Sequence, residues 1–231
     1  MLRANLPLPY PSKTFRGDVM ATLIKKLLNL VGPDTLQIFG DTGSGKTTFA
    51  LEVVKSAVDN GMKAVYIDTE RNLRVEDLPE GVEYYYSPFI QEVMAKLSKL
   101  PEANLYVLDS LGFPVLANMS LVDMRLKGDL LMKTIALTHY LKVLSYKHNA
   151  LVLVTNQPQS EFGKPNHTDL PPFGAKSLFG YKEIWRSKIL KTSEDETICA
   201  ICSWRSRRFG RGKELFRIRI RDTGVEVVPR F

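Results

Sequence analysis

Nine consecutive residues, Gly40-Asp41-Thr42-Gly43-Ser44-Gly45-Lys46-Thr47-Thr48, follow the pattern Gly-x-x-x-x-Gly-Lys-Thr. These residue types at this spacing suit the binding of nucleoside triphosphate phosphates. Gly40, Gly43 and Gly45 are expected to adopt φ > 0, so that several N–H groups point into one concavity. A helix starting at the end of the loop aims its dipole and its unpaired N–H donors at the same point. Lys46 reaches the outer phosphates as a flexible point charge, and the Thr47 hydroxyl completes the shell of a Mg²⁺ ion.

Acids stand where such a site needs them. Leu105-Tyr106-Val107-Leu108-Asp109 is an apolar run ending in a carboxylate, which can support Mg²⁺ through Thr47 or water. Asp68-Thr69-Glu70 closes another apolar run, and Glu70 at the γ-phosphate edge can orient and polarise an attacking water. Asn156-Gln157 follows a third run, where the amides can sense the γ-phosphate and relay its presence to the next loop.

These groups converge only if the chain forms an open parallel sheet, whose ligands bind beyond the carboxyl ends of the strands. The pattern supplies one. Thr35–Phe39, Lys63–Asp68, Glu83–Tyr86, Asn104–Asp109 and Ala150–Thr155 read as strands, the last apolar enough to be buried on both faces. Helices are expected from Asp18 to about Leu30, from Phe49 to Ala57, near 89–99 and over about 127–147. After residue 180 helices vanish. Segments near 183–191, 197–204, 214–221 and 225–229 read as strands, the last two joined by a turn at Asp222-Thr223-Gly224. The fold class is therefore α/β, a mostly parallel twisted sheet flanked by helices with antiparallel C-terminal strands. Residues 1–33 form a Pro-rich segment and a helix, and 34–231 a single domain.

The net charge is +7, and the stretch Lys182–Arg230 holds thirteen Lys/Arg against seven Asp/Glu, so nearly all the excess sits there. A basic flank beside a triphosphate site suits a polyanionic partner. No run approaches a membrane span, and the proline-rich start lacks a signal peptide's apolar region, so a cytoplasmic location is expected. Cys199 and Cys202 have no second Cys or His pair nearby and read as small buried residues rather than zinc ligands. In Leu215–Arg221, Phe216, Ile218 and Ile220 should face the core and Arg217, Arg219 and Arg221 the outside. With Arg205, Arg207, Arg208, Arg211 and Lys213, that outer face reads as a phosphate-binding surface, a charge-protected edge strand, or a set of residues reaching a neighbour's nucleotide.

Taken in order, Gly40–Thr48, Val65-Tyr-Ile-Asp-Thr-Glu70, Val107-Leu-Asp109-Ser110 and Val154-Thr-Asn-Gln157 resemble the RecA/RadA recombinase superfamily, especially its short archaeal RadB-like and RadA-paralogue group. Ile67–Arg74, Pro172–Leu178 and Ser203–Gly210 resemble further segments of that group. The resemblance implies a RecA-like ATPase core that uses ATP and Mg²⁺. Lys46 and Thr47 become the phosphate and Mg²⁺ contacts, Asp109 the Mg²⁺-side acid, Glu70 the water-activating residue and Gln157 the sensor; Arg74 joins the nucleotide-binding set. Residues 112–126 and 158–175 become two DNA-binding loops. Lys164 and Lys176 join Arg205, Arg207, Arg208, Arg211, Arg217 and Arg219 as DNA-binding candidates. The helix-hairpin-helix module of full recombinases and a Phe-x-x-Ala polymerisation motif are not found, and Leu30–Asp34 replaces the usual Gly-Gly-rich turn. This favours an accessory factor in recombination and repair, weakly hydrolysing ATP and binding single-stranded DNA, with a RadA-type recombinase or another paralogue as partner and with oligomers possible. A KaiC-type regulatory ATPase acting on proteins, or a RecA-like helicase or motor subunit, is the alternative.

Overall fold

The computed structural model describes residues 22–121, 127–158 and 180–231. Nine strands form one sheet: β1 (Thr35–Gly40), β2 (Ala64–Asp68), β3 (Glu83–Tyr86), β4 (Leu105–Asp109), β5 (Leu151–Asn156), β6 (Glu183–Thr192), β7 (Glu196–Arg205), β8 (Glu214–Arg221) and β9 (Gly224–Pro229). Their order is β3-β2-β4-β5-β1-β6-β7-β8-β9. Pairing is parallel from β3 through β6 and antiparallel beyond, as the loss of helical segments after residue 180 requires.

Helices cover both faces. Ile24 and Leu27 of α1 (Leu23–Val31) and Phe49, Val53 and Val54 of α2 (Lys46–Asp59) pack with Leu36, Ile38, Tyr66, Val107 and Leu153. On the other face, α3 (Ile90–Leu97), α4 (Gly112–Leu121) and α5 (Lys127–His148) bury Val93, Val115 and Leu137 against Phe39, Ile67, Leu108 and Val152. Residues of β1, β2, β4 and β5 therefore alternate between two cores, and β1, β2, β4 and β5 are buried along their whole length. The antiparallel half extends the first core with Trp185, Cys199, Phe216 and Ile218. Phe216 stacks obliquely on both Phe49 (5.3 Å) and Trp185 (5.8 Å), so β8 is pinned to α2.

One expectation changes. Residues 112–121 form α4, where the resemblance implied a loop over 112–126; 122–126 lie outside the described residues. Pro114 is the third residue of α4, in the first turn, where a missing N–H breaks no helical bond. The described part of the first helix runs from Leu23 to Val31, and Gly32, at φ 77°, ends it.

Candidate nucleotide site

Gly40 closes β1 opposite Ser187 of β6. A Cβ there would stand 2.3 Å from the Ser187 carbonyl oxygen. The expectation of φ > 0 at all three loop glycines is corrected: only Gly43 (77°) and Gly45 (81°) are left-handed, and Gly40 is required by the closeness of β6. Gly40→Ala should therefore cost about 3 kcal/mol of stability through overpacking against backbone. An unchanged midpoint in urea unfolding would contradict that close approach.

Asp41, Thr42 and Gly43 form the exposed crest of the loop, and Ser44 and Gly45 its buried base. Ser187 Oγ donates to the Ser44 carbonyl from below. Gly45 caps α2 without any side-chain cap, and no acid stands in the first turn. The Phe49 N–H returns to the Gly45 carbonyl at 2.9 Å. Helix geometry then leaves the N–H groups of Lys46, Thr47 and Thr48 without intrahelical partners. The result is a cradle of donors at a positive helix end, which fits a polyphosphate.

Lys46 Nζ donates to the Gly40 and Asp41 carbonyls, each at 2.8 Å. Burial lowers its pKa, and the charges of Asp109, Glu70 and Asp41 act in the opposite direction. The P-loop cation and both predicted acids thus bear on one another electrostatically, although Lys46 opens α2, Glu70 follows β2 and Asp109 ends β4. Asp109 ends β4 and is 8 % exposed. Its Oδ2 accepts the Tyr66 hydroxyl at 2.6 Å, and its Oδ1 accepts the Thr155 hydroxyl. Burial raises its pKa, while the nearby hydroxyls of Thr155, Tyr66 and Thr47 pull it down.

Asp68 organises the loop that carries Glu70. Its Oδ1 accepts the N–H groups of Glu70 and Arg71, both at 2.9 Å, and its Oδ2 accepts the Tyr84 hydroxyl at 3.0 Å. Arg71 is held at φ 58°, and its guanidinium lies 5.7 Å from the Tyr86 ring centre. The Glu70 carboxylate accepts from Ser110 Oγ and, at 2.8 Å, from Asn72 Nδ2. Ser110 also receives the Phe113 N–H, at 3.4 Å, linking Glu70 to the start of α4.

Gln157 is exposed just beyond β5, and its N–H bonds Asn156 Oδ1 at 3.0 Å. A Cβ on Gly112 would lie 2.8 Å from that same oxygen, so Asn156 packs tightly against the start of α4. Arg74 stands apart in its contacts: its side chain is 82 % exposed, and its guanidinium pairs with Asp77 at 3.5 Å.

The basic residues do not form one open stripe. Lys164 and Lys176, with residues 159–175 of the implied second loop, lie outside the described residues. Arg217 makes a bidentate pair with Glu214, Arg219 pairs with Glu226 at 3.5 Å, and Arg221 with Glu196 at 3.3 Å. Those pairs cancel the charge expected along β8, and β9, rather than β8, forms the sheet edge. Arg208 donates to the Asn29 carbonyl, and Arg211 stacks over Trp204 at 4.9 Å. Arg205 donates to the Tyr181 carbonyl, and burial lowers its pKa. Arg205 and Arg207 instead line a cleft of about 430 Å³ with Lys142, Lys182 and Asp34. Asp34 lies 4.0 Å from Lys142 and 3.8 Å from Lys182. Asp34 immediately precedes β1, so this cleft opens roughly 20 Å from the P-loop, at the opposite end of a six-residue strand.

Sequence reasoning passed over Tyr66, Ser110, Thr155 and Ser187. The first and third share Asp109's strand face, a signal that becomes readable once strand register is known. No group of three or more metal-ligating side chains stands together among the described residues. Mg²⁺ held by phosphate oxygens, one hydroxyl and water needs none. No helix among the described residues is long and apolar enough to cross a membrane.

No protein-family model matches the chain. It is 28 % identical over 224 residues to the DNA repair and recombination protein RadB of Methanococcus maripaludis strain C5, covering 89 % of this chain and 98 % of that one. RadB of Methanosphaera stadtmanae is 30 % identical over 152 residues, 54 % of this chain and 60 % of its own length. Among solved structures, that of the RadB recombinase superposes with a TM-score of 0.62 at 21 % identity, over 89 % of this chain and 96 % of that one. The P-loop on β1 and the overall topology are thus those of a RecA-like fold, and over most of its length the chain is similar to proteins named RadB.

Proposed function

We propose that this chain is a weakly hydrolysing, ATP-binding accessory factor of homologous recombination and DNA repair that binds single-stranded DNA. The observation that carries the reading is the loop itself, with left-handed Gly43 and Gly45, an uncapped helix N-terminus and Lys46 held across it. Relatives named for DNA repair and recombination support the biological setting.

In this reading, the N–H groups at the start of α2 and the Lys46 ammonium hold the phosphates. Thr47 and Asp109 would hold Mg²⁺, which would supply charge neutralisation at the phosphates. Glu70 orients the attacking water, and Ser110 and Asn72 fix its two oxygens. Gln157, exposed beyond β5 next to Asn156, is placed to pass the state of the site toward α4 and the residues that follow it.

For DNA, the cleft of Lys142, Lys182, Arg205 and Arg207 gathers four cations around one carboxylate, Asp34, whereas each arginine of β8 faces a carboxylate of its own. The testing experiment titrates a labelled oligo-dT against the protein over a salt series, with and without Mg·ATP. Affinity should fall steeply with salt, and Lys142→Ala with Arg207→Ala should flatten the logarithmic slope by about 2, one per lost phosphate contact. Arg217→Ala with Arg219→Ala should change it much less. Salt-independent binding, or none, would favour a regulatory ATPase that acts on protein partners.

A further inference from the structure

Asp109 is 8 % exposed, and two hydroxyls converge on its carboxylate. They come from the strands on either side of β4. Asp68 of β2 pairs with Asp109, which places Tyr66 two residues back on the same face. Leu108 pairs with Val154 of β5, which places Thr155 beside Asp109. Tyr66 and Thr155 are both fully buried, and their hydroxyls take different oxygens of the carboxylate.

We infer that Tyr66 and Thr155 are positioning residues for the Mg²⁺-side carboxylate, and that they set how much Mg²⁺ strengthens nucleotide binding. The inference rests on the nucleotide reading above. Its physical basis is the chemistry of the donors. A buried carboxylate can turn about its terminal torsion, whose well is broad. With Oδ2 tied to a tyrosine on one side and Oδ1 to a threonine on the other, rotation is blocked from both flanks. The carboxylate is then held in a single orientation. Hydroxyl donors suit this task better than Lys or Arg would, because they fix the carboxylate without neutralising the charge that Mg²⁺ needs. Outer partners of this kind are worth about 10- to 100-fold in metal affinity.

The test uses the full chain and mant-ATP fluorescence, comparing affinity in Mg²⁺ with affinity in EDTA. Tyr66→Phe and Thr155→Val keep ring and volume and remove only the hydroxyls. Each should leave affinity in EDTA within about twofold while cutting the Mg²⁺-dependent gain about tenfold. Thr155→Ser should restore it. A purely structural role would alter both conditions together, or neither. A full Mg²⁺ gain in folded Tyr66→Phe and Thr155→Val proteins overturns the inference. Failure of the unaltered chain to bind mant-ATP in either buffer overturns the nucleotide reading, and this inference with it. If Tyr66→Phe does not fold, the Thr155→Val and Thr155→Ser pair decides alone.

Discussion

Replacing Lys46 with methionine should lower Mg·ATP affinity by roughly 30- to 150-fold, the worth of a charge-assisted contact of about 2–3 kcal/mol. Methionine keeps the aliphatic stem and removes the ammonium, so the packing between β1 and α2 survives. The structure adds a second effect. Lys46 Nζ spans the loop between the Gly40 and Asp41 carbonyls, and it is the cation facing Asp109, Glu70 and Asp41. Without it, the acids at these strand ends lose their shared counter-charge, and repulsion between them and the phosphates compounds the lost contact. Equilibrium binding of a fluorescent ATP analogue, read beside a melting curve, separates the two. Affinity within threefold of the unaltered chain would remove Lys46 from the phosphate site.

Glu70→Gln should leave nucleotide affinity within about threefold and slow hydrolysis by about 10²- to 10³-fold, the usual worth of a general base. The surroundings tolerate the amide. Asn72 Nδ2 can keep its acceptor, and the Ser110 hydroxyl can rotate to accept from the new NH₂ group. Glu70 reaches this place because Asp68 pins its N–H and that of Arg71. The change therefore removes basicity and leaves the loop intact. Single-turnover hydrolysis at saturating nucleotide is the measurement, and an unchanged rate would take Glu70 out of catalysis.

Local signals carried much of this. The loop Gly40–Thr48 announces itself because each residue type answers a local demand. The apolar runs ending in Asp68 and Asp109 are legible because strands buried on both faces leave an uninterrupted pattern. What escaped depends on partners remote in the chain. Tyr66 matters through a residue 43 positions away, and Thr155 through one 46 away, so only strand register could reveal them. The need for glycine at 40 comes from β6, whose Ser187 is also remote. The arginines of β8 were legible as an alternating row, but their carboxylates lie on β7 and β9 or just before the row, and only hairpin pairing brings Glu196 and Glu226 opposite them. Helix α4 hid behind Gly112 and Pro114, which read as breakers unless the helix starts at the glycine.

The contact between Ser187 and the Ser44 carbonyl joins residues 143 apart, and Cys199 lies beneath Gly45, its sulfur 3.5 Å from where a Cβ would be. The phosphate cradle thus has a floor made by the antiparallel half of the sheet. A ribosome that has released the chain only as far as Gln157 has made every residue of the predicted catalytic set, yet not the surface on which the loop rests. Closing so long a span is slow compared with forming a helix. In the proposed reading, competence to bind nucleotide therefore waits until β6 and β7 pair beside β1, and ligand binding would then stabilise the completed sheet by mass action.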